Sequence, residues 1–442
     1  MGSKLDVVFV NADSSAAAYQ GLADKFAAIE PPTWSLLLAN SCRAVGYSVA
    51  LIDATAEKLS HESVVSRIKE LNPRLVLFVV YGQNPNSGTI NMVGNTECAE
   101  LLKNTHSEFP IAFVGSHTSA LPMEVLSLPY VDMVLLNEGV YALRNLLASD
   151  IKDDLPKIKG IGYKDSGKPL LNTPEIVVPT DRMDIDMPGY AWDLLPFNSK
   201  PLDLYRAHFW HTEYKQENRT PFAALYTSLG CRFKCDFCMI NIVNRVDNDL
   251  QVASSHSPNM RFWSPDFMLK QFRSLAELGV KHIRISDEMF FLNQRYFEPL
   301  LEGIIKEGIS LKMWSYTRID TVRERYLELF KKAGINWLAV GIEAGNREVR
   351  REVSKGTFEM EDVSSVVKLM QDHGIHVAAN YIFGFPDDTH ETMQQTLNLA
   401  LELNTEMANM YPCQALPGSP LHVRARQERW KLPDTYQGYG FL

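Results

Sequence analysis

A repeated rhythm constrains the fold most: short β-rich runs alternate with stretches of helical spacing, first over residues 1–148 and again from about residue 222 to 412. The first set of runs covers residues 5–10, 48–53, 75–81, 111–115 and 131–136, with helical spacing at 34–45 and 61–71. Strand followed by helix, repeated, lays the strands parallel with helices on both faces. The loops after the strands then gather at one edge, where such sheets bind ligands. The second set covers 222–228, 281–287, 311–318, 335–341, 375–382 and 406–411. Six such units predict a partial or complete parallel barrel, with its chemistry at the C-terminal ends of the strands.

Residues 149–220 break the rhythm. Gly160, Gly162, Gly167 and Pro169 suggest a hairpin, and Pro188-Gly189 and Pro196 mark a loop-rich stretch. The expected division is a domain over 1–148, a connector over 149–220, a barrel over 221–412 and a C-terminal extension over 413–442. The fold class is α/β, a flavodoxin-like (Rossmann-type) domain before a partial (β/α)6 barrel.

Composition narrows the partners. The chain has 442 residues, 45% hydrophobic and 22% charged, which is ordinary for a globular protein. Its net charge of −9 argues against a phosphate-backbone binder, so no nucleic-acid partner is expected. The longest apolar run, residues 75–81, has strand length and falls far short of a membrane span, so no membrane partner is expected. The start, Met-Gly-Ser-Lys-Leu-Asp, carries no signal-peptide pattern, and Asp6 occupies the slot where a myristoylation signal needs Ser or Thr. A cytoplasmic location is the expectation.

Three of the six cysteines, Cys231, Cys235 and Cys238, crowd into one loop after the first barrel run, in the stretch Gly230-Cys-Arg-Phe-Lys-Cys-Asp-Phe-Cys238. Such clustering points to metal ligation, and these three are the expected metal and catalytic residues. Three thiolates are one short of a closed tetrahedral zinc or iron–sulfur site, leaving one metal open to bind something else. Arg232 and Lys234 favour the thiolate form. The competing readings are a zinc knuckle with a distant fourth ligand, or reduced thiols without metal.

The C-x3-C-x2-C loop and the barrel after it resemble the radical S-adenosylmethionine (SAM) superfamily, over about residues 220–412. The resemblance implies a 4Fe-4S cluster held by the three cysteines, with SAM chelated to the open iron and cleaved to a deoxyadenosyl radical. It implies SAM contacts from Glu288 in Ser286-Asp287-Glu288, from Arg318 to the SAM carboxylate, and from Glu343 in Gly341-Ile-Glu-Ala-Gly345, where Ala344 replaces the usual Ser. Gly384 in Tyr381-Ile-Phe-Gly-Phe-Pro386 would lie along adenine.

Standing before such a barrel, the N-terminal domain is similar to the cobalamin-binding domains of cobalamin-dependent radical SAM enzymes. The matching segments are Glu30-Pro-Pro-Thr-Trp34, Gly46-Tyr-Ser48 leading to Asp53, Gly115 to Pro122, and Asp132 to Glu138-Gly139. The Asp-x-His-x-x-Gly motif is absent, so base-off cobalamin without a histidine on cobalt is implied. The implied cobalamin contacts are Tyr81, Gly82, Gln83 and Asn84 in the loop Tyr81 to Thr89 below the corrin, with Gly115, His117, Thr118, Glu138 and Gly139. His117 is the alternative cobalt ligand, set against a loop-anchoring role.

Other constellations are weaker. Arg206 to Tyr214 is rich in groups that line a pocket or move protons, or else it packs between domains. Asp387-Asp388 and Glu391 suggest either a metal site or an acidic helix start. Cys413 reads as a buried thiol near the site. No G-x-S-x-G supports a hydrolase, and Cys42 and Cys98 fall short of the cysteine set of methylthiotransferases. The expected function is cobalamin-dependent radical SAM methylation of an unactivated carbon, or phosphorus, of a small-molecule substrate. An electron donor such as flavodoxin or ferredoxin is the implied partner. The alternatives are a non-methylating cyclisation, rearrangement or oxidation, and a non-enzymatic cofactor sensor.

Overall fold

The computed structural model describes residues 4–22, 25–81, 84–151, 153–196, 200–243, 260–354 and 363–440. The N-terminal sheet contains β1 (Val7–Asn11), β2 (Val49–Asp53), β3 (Leu75–Val80), β4 (Ile111–Gly115), β5 (Met133–Leu135), β6 (Ile161–Asp165) and β7 (Lys168–Leu171), in the order β2-β1-β3-β4-β5-β6-β7. Its first five strands are parallel, in the flavodoxin-like order. β3 is buried at every position because both faces are covered. Val7, Phe9, Leu75, Leu77 and Val79 pack with Leu36 and Leu37 of the helix Thr33–Arg43, while Val8, Val10, Val76, Phe78 and Val80 pack with Val64, Ile68 and Met92 on the other face.

The hairpin read from the glycines is present, but it belongs to this sheet. β6 runs antiparallel to β5, pairing Leu135 with Ile161 and Met133 with Tyr163, so the sheet continues through Leu171. Ile161 and Tyr163 are buried there, and a side chain at Gly162 would strike Leu171 and Leu126. Apolar burial against β5 draws the hairpin out of the connector.

The second sheet is an open parallel barrel of β8 (Phe222–Leu225), β11 (His282–Ile285), β12 (Lys312–Arg318), β13 (Ile335–Glu343), β14 (His376–Phe383) and β15 (Met407–Pro412), side by side in that order. Short β9 (Ser228–Leu229) and β10 (Arg261–Phe262) pair antiparallel beside it. Amphipathic helices cover the outside. Pro265–Glu277 starts with Pro265 behind Ser264, whose hydroxyl caps the Phe267 N–H, and His390–Leu403 starts with a Thr389–Thr392 capping box.

The segment 208–214 closes the N-terminal end of the barrel, away from the strand ends that carry chemistry, while Arg206 pairs with Ile29 and lines a cavity of the N-terminal domain. Trp210 sits 5.2 Å from Trp314 and 4.8 Å from Trp337, ring centre to ring centre, and buried His211 meets His282 edge-on at 5.1 Å. It is a packed floor. Residues after β15 return to the N-terminal domain: the ring of Tyr436 lies 5.1 Å from His117, and Gly418 fits against Ala120, Met239 and Ile242. The two sheets share one apolar core through the helix Thr33–Arg43 and residues such as Val178, Trp192 and Tyr205. Among the described residues, no helix is long and apolar enough to cross a membrane.

Candidate active site

β8 delivers the cysteine loop to the C-terminal end of the barrel, and Asp287 at the end of β11 fixes it. The Thr227 N–H (2.6 Å), the Thr227 hydroxyl (2.7 Å) and the Ser228 hydroxyl all donate to the Asp287 carboxylate. Burial still pushes that carboxyl up to about 6, against those hydrogen bonds. Gly230 takes a left-handed φ of 90° just before Cys231, and the Cys238 N–H donates to the Cys235 carbonyl at 3.1 Å. All three thiols are free. Burial pushes Cys231 up to about 12 and raises Cys235 and Cys238 as well, with the neighbouring thiols adding to the first two.

The next strand ends bring acids to these thiols. Burial, with Asp287 adding, pushes the Glu288 carboxyl up to about 8, and its Oε2 is buried without a hydrogen-bond partner. Glu343 is pushed up to about 7 by burial, opposed by Arg318. It holds a left-handed φ of 65° at a bulge in the β13–β14 pairing. A side chain at Gly341 would lie 2.4 Å from its carboxylate, and one at Gly345 would meet the Gln395 backbone at 2.5 Å. Gly345 is therefore a steric necessity, whereas a side chain at Gly341 would displace the Glu343 carboxylate. Ala344 is buried against Val349 and Phe385, where a hydroxyl would lack water.

Arg318 is bidentate to Asp320, at 3.0 Å from both Nε and Nη2, lies over the Phe233 ring at 4.0 Å, and points Nη1 at the Cys235 sulfur, 3.7 Å away. Gly384, with φ 84°, and Phe385 both donate N–H groups to Asp388. Asp388 thus anchors the turn after β14.

On the N-terminal side, a cavity of about 590 Å³ opens at the C-terminal ends of β1 and β3. These neighbouring strands lead to opposite sides of the sheet, the position where such folds take ligands. Tyr81 lines the cavity, stacked on Trp34 at 4.5 Å, with its hydroxyl donating to the Asn137 carbonyl at 3.1 Å. Gly82 and Gln83 lie outside the described residues. Glu30, also on the cavity wall, reaches into the barrel: both its oxygens pair with Arg284 Nη1, at 2.7 and 2.6 Å, and Arg284 Nη2 donates to the Tyr316 hydroxyl.

Several residues expected at the cobalamin site have other partners here. Glu138 is buried in an ion pair with Arg261, 2.8 Å away, and also accepts the Val178 N–H, tying the N-terminal sheet to β10. A buried carboxylate demands a partner of this kind. His117 is buried, with Nδ1 3.1 Å from the Thr89 hydroxyl and Nε2 3.4 Å from Glu124, which fits the loop-anchoring role. A side chain at Gly115 would strike the Val80 carbonyl at 2.1 Å, and Gly139 takes φ 76° against Val114. Thr118 is buried with its hydroxyl unpartnered. Asn84 leads into a short turn, Pro85–Ser87, that it closes with Ser87.

The turn points Asn86 across the domain junction. Its amide nitrogen donates to the Cys238 sulfur at 3.8 Å, and its oxygen accepts the Met239 N–H at 3.1 Å. Asn86 was expected only as part of a loop facing the corrin. Arg284 was not singled out, although an arginine inside the buried run His-Ile-Arg-Ile of β11 signals a charge needing an inward partner.

Residues 225–400 match the model of the radical SAM superfamily, and residues 19–147 match that of the B12 binding domain. The chain thus carries a B12-binding domain followed by a radical SAM domain, the order found in the cobalamin-dependent radical SAM enzymes it resembles. It is 26% identical to an uncharacterized methyltransferase of Pyrococcus horikoshii over 92% of this chain and 81% of that one. It is 23% identical to the anaerobic magnesium-protoporphyrin IX monomethyl ester cyclase of Cereibacter sphaeroides, over 90% of this chain and 61% of the cyclase. Its fold is that of the radical SAM methyltransferase TsrM from Kitasatospora setae, solved with cobalamin and a [4Fe-4S] cluster bound, with a TM-score of 0.72 at 18% identity, over 98% of this chain and 76% of that one.

The residues of the radical SAM domain fit an iron–sulfur cluster. Among the described residues no three Cys, His, Asp or Glu donors are placed to hold a single metal ion, as a zinc knuckle would require. A cluster instead gives each thiolate its own iron. Three free thiols on one turn, with an unpartnered Glu288 oxygen beside them, suit that donor arrangement. The cavity between β1 and β3 suits part of a cobalamin in size and in its place at the strand ends of the B12-binding domain.

Proposed function

We propose that the chain methylates an unactivated carbon, or a phosphorus, of a small-molecule substrate. The observation that carries this reading is the junction, where the loop of the B12-binding domain lies directly on the cysteine loop through Asn86. When bound, the cluster and SAM supply a deoxyadenosyl radical, and cobalamin supplies the methyl group.

The chain's own residues prepare that chemistry. Cys231, Cys235 and Cys238 would hold the cluster, and Asp287 fixes the loop that carries them. Glu288, Glu343, Arg318 and Gly384, at four successive strand ends, would bind SAM. For Arg318 this means exchanging Asp320 for the SAM carboxylate. Trp210 closes the barrel floor, so a substrate enters from the B12 side and is held between the two cofactor sites, where proximity favours the transfer. The electron comes from a flavodoxin or ferredoxin, in the cytoplasm.

The test is anaerobic reconstitution with iron, sulfide and hydroxocobalamin, then incubation of candidate substrates with SAM and reductant. About four irons and one cobalt per chain, deoxyadenosine release and a product one methylene heavier are expected. An isomer or a dehydrogenated product would replace methylation with the second reading, a cyclisation, which the likeness to the magnesium-protoporphyrin ester cyclase favours. Iron without cobalt would remove the two-cofactor reading.

A further inference from the structure

Asn86 stands on the B12-binding domain, yet both ends of its amide are engaged by the barrel's cysteine loop. The turn that presents it is held rigidly. Ser87 and Asn84 close it with reciprocal bonds, at 2.9 Å from the Ser87 hydroxyl to the Asn84 carbonyl, and the Ser116 hydroxyl donates to the Pro85 carbonyl at 2.7 Å. Gly88, next in sequence, has no room for a side chain, because a Cβ there would lie 1.9 Å from the Ser116 hydroxyl. The amide is thus aimed by three neighbouring residues of its own domain.

The two halves of the amide do different work. The oxygen accepts from the Met239 backbone and docks the domains. The nitrogen donates to a sulfur, and a hydrogen bond to a cluster sulfur stabilises the more negative, reduced state and raises the reduction potential. Arg318 supplies a second such contact to Cys235, but from within the barrel.

We infer that Asn86 is a positioning residue through which the B12-binding domain tunes the cluster, its amide N–H raising the cluster's reduction potential when the two domains are docked. The inference rests on the three cysteines holding the cluster. It makes reducibility a property of the domain junction, in addition to the barrel itself.

Asp and Asn differ at the donor end alone, so Asn86→Asp keeps an acceptor for the Met239 N–H and removes the donor to sulfur. Asn86→Ala removes both. The measurement is the cluster's midpoint potential, followed by electron paramagnetic resonance during redox titration of the reconstituted full chain, with iron content and thermal melting on the same samples. Both variants should bind wild-type iron and show a more negative midpoint than wild type, the shift larger for Asp, whose charge opposes reduction. A midpoint in both variants equal to that of the wild type overturns the inference while leaving the proposed function intact. A midpoint that moves in Ala alone also overturns it, since it assigns the effect to docking. A wild-type chain that assembles no cluster overturns both.

Discussion

In the N-terminal sheet the acids that follow the parallel strands are committed to protein partners. Asp53 accepts from the Tyr205 hydroxyl and Asn11 at 2.7 Å each, Glu30 pairs with Arg284, and Glu138 pairs with Arg261. In the barrel, Glu288 at the equivalent strand end has a buried oxygen with no partner, and Glu343 folds back over a glycine in a left-handed backbone conformation. The same edge of the same kind of sheet thus serves cohesion in one domain and ligand contact in the other. It is the place of the Glu288 oxygen beside the three thiols that makes it a candidate for ligand contact.

The contrast breaks most sharply at the thiols. Cys235→Ala should abolish cluster assembly and SAM cleavage while leaving the melting of the N-terminal domain unchanged, read by iron analysis, deoxyadenosine release and thermal denaturation. An intact cluster in that variant would overturn the ligand assignment. The committed acids should behave oppositely, with their loss felt in stability. Glu30→Ala leaves the fully buried Arg284 without its counter-ion and should cost about 3–5 kcal/mol in denaturant unfolding. Replacing Glu30 and Arg284 together by Leu and Met should recover most of that, because the pair's desolvation cost disappears with it.

Asp53 gives a subtler separation through pH. Burial pushes its carboxyl up to about 6 from an ordinary 3.8. Between those values the unfolded chain releases its proton while the folded chain keeps it, so stability falls as pH rises from about 4 to about 6 and is flat above. The contribution is on the order of 2–3 kcal/mol, and Asp53→Asn should flatten that part of the stability curve. The smallest effect belongs to the half-exposed Arg43–Asp193 pair, where Asp193→Ala should change stability by under about 1 kcal/mol and be less visible at high salt.

The parallel strands of both sheets were legible because runs such as Leu-Val-Leu-Phe-Val-Val of β3 are buried on both faces and carry no competing pattern. The barrel site was legible for a related reason, since cysteine spacing and the Gly-Ile-Glu-Ala-Gly segment encode local geometry that a few neighbouring residues enforce. The hairpin β6–β7 was read correctly as a hairpin but assigned to the connector, because which edge a hairpin joins depends on β5, some 25 residues earlier. Glu138 and His117 are implied as cofactor contacts by resemblance alone, with a loop-anchoring role as the other reading of His117. Their partners Arg261 and Glu124 are fixed by tertiary packing, which neither periodicity nor spacing encodes. The contact of Asn86 is illegible for the same reason: the sulfur it touches is 152 residues away.

The return of the residues after β15 onto the N-terminal domain has a consequence for the order of assembly. During synthesis domains form as units from the N-terminal side. The sheet ending at Leu171 therefore leaves the ribosome long before Gly418 and Tyr436 exist to touch Ala120 and His117. The clasp thus closes a loop of about 300 residues, and it fastens onto a first lobe whose strands are already made.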